Sequence, residues 1–317
     1  FSAVWIIIAN SWMQTPRGYQ IVETAQGPRA HITDFWAMVF NPSAMDRLSH
    51  TVSAAWCTAA FFVMSVSAYY LLKGRHTESA KLSMKIGLSL AMVAVTLQFA
   101  TGHKSIGGVA ENQPAKLAAM EGHNKTGPLD LALFGYVDGD GKAQGLNLPR
   151  VGSILLAWDP TKSIKGLDQI PVNERPLLQP VFQFYHLMIA CGMAMAGLVA
   201  VGAVKWRRGT LWTSRWCLKA FVAAVVLPQI ANQAGWFTAE MGRQPWIVYG
   251  MLRTSEGLSK TVKANQVLAS LILFILLYLL LGFLFLYLLN KKIKEGPEEI
   301  ASHPPTGSPA DNDLVLA

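Results

Sequence analysis

The sequence predicts an all-α integral membrane protein: a transmembrane helix bundle, made of the end of one helix plus five complete helices, with a long extracytoplasmic loop. Three observations predict it. Of 317 residues, 52% are hydrophobic and only 15% charged, and the mean hydropathy is +0.30, a balance foreign to ordinary soluble enzymes and to disordered chains. Uncharged apolar runs recur at about the 20 residues that a helix needs to cross a bilayer. The Lys and Arg residues gather at the ends of these runs. The net charge of +8 therefore does not form the basic patch that nucleic-acid binding requires, and nucleic acid is excluded as a partner.

The runs follow in order. FSAVWIIIANSWMQ, Phe1 to Gln14, starts abruptly as an apolar helix without an initiator Met or the basic start of a signal peptide, so it is expected to be the end of a helix in a fragment lacking its N-terminal part. Complete spans are expected at Val52 to Leu72, Ile86 to Ala100, Val181 to Val204, Ala220 to Ala239 and Ala264 to Asn290. The connections KGRHTESAKLSMK and KWRRGTLWTSRWCLK, and the KKIK after the last span, are basic. Alternating crossings place all three on one side, which is then cytoplasmic.

Four regions result: transmembrane helices over 1–100, an extracytoplasmic loop over 101–180, further transmembrane helices over 181–290 and a cytoplasmic tail over 291–317. The loop carries eight basic and eight acidic residues, as a folded, charge-balanced segment does, and it is too long for a mere connector. The tail is rich in Pro, Ser and Asp and is expected to be disordered. Cys57, Cys191 and Cys217 lie in or beside apolar runs without CxxC spacing, the pattern of small packing residues.

A few side chains do not belong in lipid. His50, in DRLSHTVSAAW, stands at the outer end of one span, and Met188, in FQFYHLMIACG, about two turns inside the outer end of another. Matched depths are what two axial ligands of one haem iron need, and a His/Met pair makes an electron-transfer centre of raised potential. Each residue also has a plainer reading, as core filler or as an interfacial hydrogen-bonding group. Glu240 ends another span, with Trp236 one turn before it and Arg243 one turn after it. An intramembrane carboxylate is a candidate functional residue; a structural ion pair with Arg243 is the alternative.

The stretch AEMGRQPWIVYGMLRT, with AGWF upstream, resembles the GRQPW signature of subunit I of the cytochrome bd quinol oxidases. WIIIANSWMQTPRG, the His50 segment, ENQPAKLAAMEG in the outer loop and FYHLMIACG resemble that family in the same order. The resemblance implies that His50 and Met188 are the axial ligands of a low-spin haem b of the b558 kind, and that Glu240 is the ligand of a high-spin haem b of the b595 kind. The third haem would be haem d or another haem b. It further implies that Trp236, Arg243, Gln244 and His186 surround the haems, that Lys116 and Glu121 bind quinol, and that Asn10 lies on a proton path. The i, i+5 spacing of Lys116 and Glu121 does not place them on one helical face. Without the family, the plainer reading of these two is a solvated surface stretch.

The sequence departs from the family at His186, where an arginine is common. His186 is also a rival ligand, because it lies about 200° around the helix from Met188 and only one of the two can face the iron. The outer loop resembles the family's short form. The implied activity is oxidation of ubiquinol or menaquinol at the outer face and reduction of dioxygen to water, which contributes to the proton motive force. The implied partners are subunit II of the oxidase, a small single-helix subunit and membrane lipid, and the implied location is the prokaryotic cytoplasmic (inner) membrane. The alternative from another class is a non-oxygen-reducing cytochrome or a quinone-binding electron-transfer or assembly protein of the same superfamily.

Overall fold

The computed structural model describes residues 2–24, 27–259 and 261–297. The chain divides into two compact units, Phe1–Lys263 and Ala264–Ala317. In the first, α1 (Ser2–Gln14) leads to the antiparallel pair β1 (Tyr19–Thr24) and β2 (Gly27–Ile32), then to the short α2 (Phe35–Val39) and the long α3 (Ala44–Lys73) and α4 (Thr77–Asn112). The outer loop holds α5 (Pro114–Glu121), β3 (Gly127–Pro128), β4 (Leu131–Val137), β5 (Ala143–Leu148), α6 (Val151–Ala157) and β6 (Ser163–Ile164). After it come α7 (Leu178–Arg207), α8 (Arg215–Ala223) and α9 (Val226–Met241), and the short pair β7 (Trp246–Val248) and β8 (Leu252–Arg253). The second unit's described part is α10 (Ala264–Glu295). Among the described residues, five helical segments are long and apolar enough to cross a membrane, with α8 and α9 together making one of them.

The fold is the expected helical bundle, and the differences lie at its boundaries. The third run was expected to end at Ala100, yet α4 continues to Asn112. Loss of apolarity marks where lipid ends, not where helical backbone ends. The stop comes at Gln113, whose φ of −141° is not helical, because Pro114 bars the residue before it from the α region. Likewise α3 begins at Ala44, one residue after the Pro42–Ser43 pair, so His50 lies nearly two turns inside the helix and not at its end. The last helix runs to Glu295, past the expected boundary at Asn290. Residues 298–317 of the expected disordered tail lie outside the described residues.

The outer loop, expected only to be folded, carries local β structure. β4 and β5 form a hairpin, and β3 pairs with β6. The span expected at Ala220 to Ala239 is broken into α8 and α9. Pro228 has no N–H to offer the Ala224 carbonyl and its ring crowds that carbonyl; Ala224 O instead accepts from Leu227 N at 3.1 Å. The Val222 carbonyl at the break is satisfied by the Ser65 hydroxyl of α3, at 3.0 Å.

The main core lies between α3, α4, α7 and α8. Phe61, Met64, Met84, Leu88 and Phe221 are fully enclosed there, with the free thiols of Cys57 and Cys217 among them. Towards the outer loop, smaller apolar clusters are joined by buried polar residues, among them Gln14, Gln113, Lys116, Glu121 and Arg243. The Ser65→Ala variant removes the donor to Val222 O without opening a large void. It is expected to lower stability by roughly 0.6–1.7 kcal/mol, the range for hydrogen bonds between membrane helices, read as a lower thermal unfolding midpoint of the purified protein.

Candidate functional site

Four elements converge on Glu240. Asn10 and Gln14, one turn apart on α1, both aim amide nitrogens at Glu240 Oε1, at 3.0 and 3.4 Å. Arg243 forms an ion pair with Oε2 from the turn after α9, and its other guanidinium nitrogen reaches the Ile247 carbonyl. Arg47 of α3 donates to Asn10 Oδ1. Lys116 of α5 donates to Gln14 Oε1 at 2.6 Å, and Gln113, beside it, caps the Gln14 carbonyl at 2.8 Å. Gly242 is what lets α5 come this close: a Cβ there would stand 2.8 Å from Lys116 Cγ.

The charges in this cluster do not balance. Arg47, Lys116 and Arg243 are cations and Glu240 is the one carboxylate among them. Burial, reinforced by Arg47 and Arg243 and opposed by Glu240, holds the Lys116 amine well below its usual range. The Nε atoms of both Arg47 and Arg243 are buried without a hydrogen-bond partner. The two arginines outnumber the one carboxylate and keep unused donors, a pattern that favours an anionic neighbour.

His50, one turn after Arg47 on α3, and Met188 on α7 have neighbours of their own. The Thr101 hydroxyl donates to Leu97 O at 2.7 Å, so its contact of 2.9 Å with His50 Nδ1 is accepted from Nδ1–H. That hydrogen bond fixes the tautomer and leaves the lone pair on Nε2, the arrangement of a metal-binding imidazole. Met188, half-buried on α7, faces Gly235 of α9, where a Cβ would stand 2.8 Å from its sulfur.

His186 has neither ring nitrogen turned to open space. Nδ1 contacts Phe182 O at 2.8 Å and Nε2 contacts Ala132 O of β4 at 2.9 Å, so of the two rival ligands it is the one already engaged. Trp236 is exposed on α9, outside the Glu240 cluster. Gln244 accepts from the Thr254 hydroxyl at 2.6 Å and so holds the turn that carries Arg243. Arg253 closes the same turn over the Trp246 ring at 4.7 Å.

Lys116 and Glu121 share α5 but face different neighbours, as their spacing implies. Both are buried, at 3% and 4% exposure, which removes the reading of a solvated stretch. Glu121 faces the Tyr185 hydroxyl and the Ala132 backbone N–H, and burial pushes its pKa up to about 7.

A model of the family described as cytochrome bd terminal oxidase subunit I matches residues 1–297. The chain belongs to the cytochrome bd terminal oxidase subunit I family. It is 32% identical over 317 residues to cytochrome bd ubiquinol oxidase subunit 1 of Bacillus subtilis (strain 168), covering 95% of this chain and 66% of that protein. It is 30% identical over 375 residues to cytochrome bd-II ubiquinol oxidase subunit 1 of Escherichia coli (strain K12), covering 96% of this chain and 72% of the other. The structure of bd oxidase from Geobacillus thermodenitrificans matches with a TM-score of 0.83 at 31% identity, covering 93% of this chain and 67% of that one. The chain thus spans about two thirds of the length of these relatives.

Cytochrome bd oxidases are haem-associated oxidoreductases of electron transport, and this member is a multi-pass inner-membrane protein. The residues present suit haem: an imidazole with its Nε2 lone pair free, a half-buried thioether and surplus buried cations with idle N–H groups. Sequence reasoning missed Arg47, Gln14 and Gln113. Arg47 left one signal, a charge one turn before His50 in a segment that folds as apolar helix. The two glutamines lie within the motifs WIIIANSWMQTPRG and ENQPAKLAAMEG, but nothing local relates residue 14 to residues 113 and 116.

The Gln14→Leu variant removes the acceptor of the buried Lys116 amine and should destabilise the protein by roughly 1–3 kcal/mol. Adding Lys116→Met should recover part of that loss. A double-mutant cycle on thermal or denaturant unfolding of the purified complex reads both values.

Proposed function

We propose that this chain is the haem-bearing subunit of a membrane quinol oxidase, oxidising quinol at the outer face and reducing dioxygen to water. The observation that carries this reading is the cluster of Arg47, Lys116 and Arg243 around the single carboxylate of Glu240, with Arg47 one turn before His50 on α3. In a low-dielectric site a surplus cation about 6 Å from a bound anion contributes roughly 3 kcal/mol at an effective dielectric near 20. The carboxylates of haem are anions of the right chemistry for Arg47 and Arg243.

In this reading His50 Nε2 and the Met188 sulfur hold a low-spin haem b, and Glu240 holds a high-spin haem b through the lone pair that Arg243 leaves free on Oε2. The third haem is haem d or a further haem b. Trp236 contributes to the haem surroundings. Bound haem supplies the one-electron chemistry that links quinol to dioxygen. Asn10, held between Arg47 and Glu240, keeps the carboxylate hydrogen-bonded and lies on the path by which protons approach it.

Lys116 and Glu121 bind and deprotonate ubiquinol or menaquinol. The buried lysine polarises a quinol oxygen, and Glu121 accepts the proton. Subunit II, a small single-helix subunit and lipid complete the assembly, as the subunit numbering in the relatives' names and the apolar helices suggest. Quinol protons leave on the outer side and protons for water enter from the cytoplasm, so charge is separated without pumping.

Three measurements on the complete complex test this. Met188→Leu keeps the volume and should abolish or convert to high spin the low-spin b signal in the reduced-minus-oxidised spectrum. An unchanged spectrum, with loss instead in His186→Leu, would transfer the ligand role to His186. Glu240→Gln should lose the high-spin b signal selectively while the His50/Met188 haem persists, and retention of that signal removes Glu240 as a ligand.

The third measurement concerns pH. A carboxyl with its pKa near 7 acts as a base only once ionised. Quinol oxidation should therefore rise as pH increases through about 7 and level off above it. Glu121→Gln should slow turnover and abolish that rise, with haem content intact.

A further inference from the structure

Against Glu121 lies a cavity of about 70 Å³, lined also by His123, Asn124, Asp130, Lys142 and Asn147. That is room for about two water molecules at roughly 30 Å³ each. Two oxygens of its lining residues are buried without a hydrogen-bond partner, Glu121 Oε2 and Asn147 Oδ1. The Asn147 amide is oriented by its donation from Nδ2 to Ala143 O at 3.2 Å, which leaves Oδ1 as a pure acceptor. Both idle groups therefore call for donors.

Of the lining side chains that carry donors, His123 is engaged, Lys142 is at the surface and the half-buried Asn124 bonds neither idle oxygen. His123 Nε2 contacts Ile164 O at 3.0 Å. Lys142 and Asp130 are exposed, and Asp130 accepts from Arg150 N at 2.8 Å. The Tyr185 hydroxyl and the Ala132 N–H approach Glu121, and of these two residues Ala132 lines the cavity. Buried polar groups without protein partners are met by ordered water where the space is polar and large enough. Both conditions hold here.

We propose that this cavity is the proton exit of the quinol site: water held between Glu121 and Asn147 carries the proton to the outer surface at Asp130 and Lys142, with Asn147 as the positioning residue. The proposal rests on the reading of Glu121 as the base in quinol oxidation. Quinol becomes quinone by losing two protons and two electrons, dioxygen being the final oxidant in the proposed reaction. For each proton that Glu121 handles, a quinol O–H bond breaks and a carboxyl O–H bond forms. That O–H bond then breaks as cavity water takes the proton and passes one on to bulk solvent, which restores the carboxylate. A carboxyl whose pKa lies near that of neutral solution both accepts and releases a proton readily.

The test uses the complete oxidase complex with decylubiquinol as reductant, measuring oxygen consumption in H2O and D2O. Asn147→Leu fills the cavity with an apolar group. It should lower kcat several-fold at unchanged KM and enlarge the solvent isotope effect, and Asn147→Ser, which again holds water, should recover most of the loss. Unchanged kcat and isotope effect in Asn147→Leu, or equal losses in the Leu and Ser variants, would overturn the exit path.

Glu121→Gln is measured in the same assay. Normal turnover in that variant defeats the quinol reading itself, whereas slow Glu121→Gln with normal Asn147→Leu defeats only the exit. If Asn147→Leu does not assemble, a map of the parent complex at a resolution that shows water decides: ordered water touching both oxygens is expected, and a dry cavity overturns the proposal.

Discussion

The structure depends on the cost of burying charge. Glu240, Arg47, Arg243 and Lys116 sit where each ion alone would lose several kcal/mol of hydration, so each needs a partner supplied by another element. Arg243 pairs with Glu240 directly, Asn10 relays between Glu240 and Arg47, and Gln14 relays between Glu240 and Lys116. Amide side chains suit this task because each offers a donor and an acceptor at once. The same requirement explains Gly242, since the lysine stem must lie against the backbone of the turn for its amine to reach Gln14. The outer loop is thereby docked onto α1 through Lys116 and Gln113, and onto α7 and the end of α9 through the apolar face of Ala119 and Met120.

A second consequence concerns α7. Gln179, Gln183 and His186 stand at i, i+4 and i+7, on one helical face. They bond in turn to Val137 N at 2.6 Å, Gly135 O at 2.8 Å and Ala132 O at 2.9 Å, all on β4. The helix that carries Met188 thus grips the strand that presents the Ala132 N–H to Glu121. The candidate haem ligand and the candidate quinol base are therefore both tied to α7. His186 belongs to this grip. Where a family member has arginine, this chain has a ring whose two nitrogens both meet backbone carbonyls.

The sequence by itself determined the class of fold, because hydrophobic length is a local property: the five apolar spans and the basic connections can be read without knowing what packs on what. Through the spacing and order of its motifs it also determined the family and most candidate residues, His50, Met188, Glu240, Arg243, Lys116 and Glu121 among them. It did not determine where helices stop, since backbone helicity outlasts apolarity until a proline intervenes, as at Pro114, and breaks where one removes a donor, as at Pro228. Only the tertiary structure decided that Lys116 joins Glu240 while Glu121, five residues on, joins Tyr185 and a polar cavity. Only it brought in Arg47, Gln14, Gln113 and Asn147, because charge compensation and hydrogen-bond satisfaction are settled between elements far apart in the chain, and no local pattern records which distant group will supply the partner.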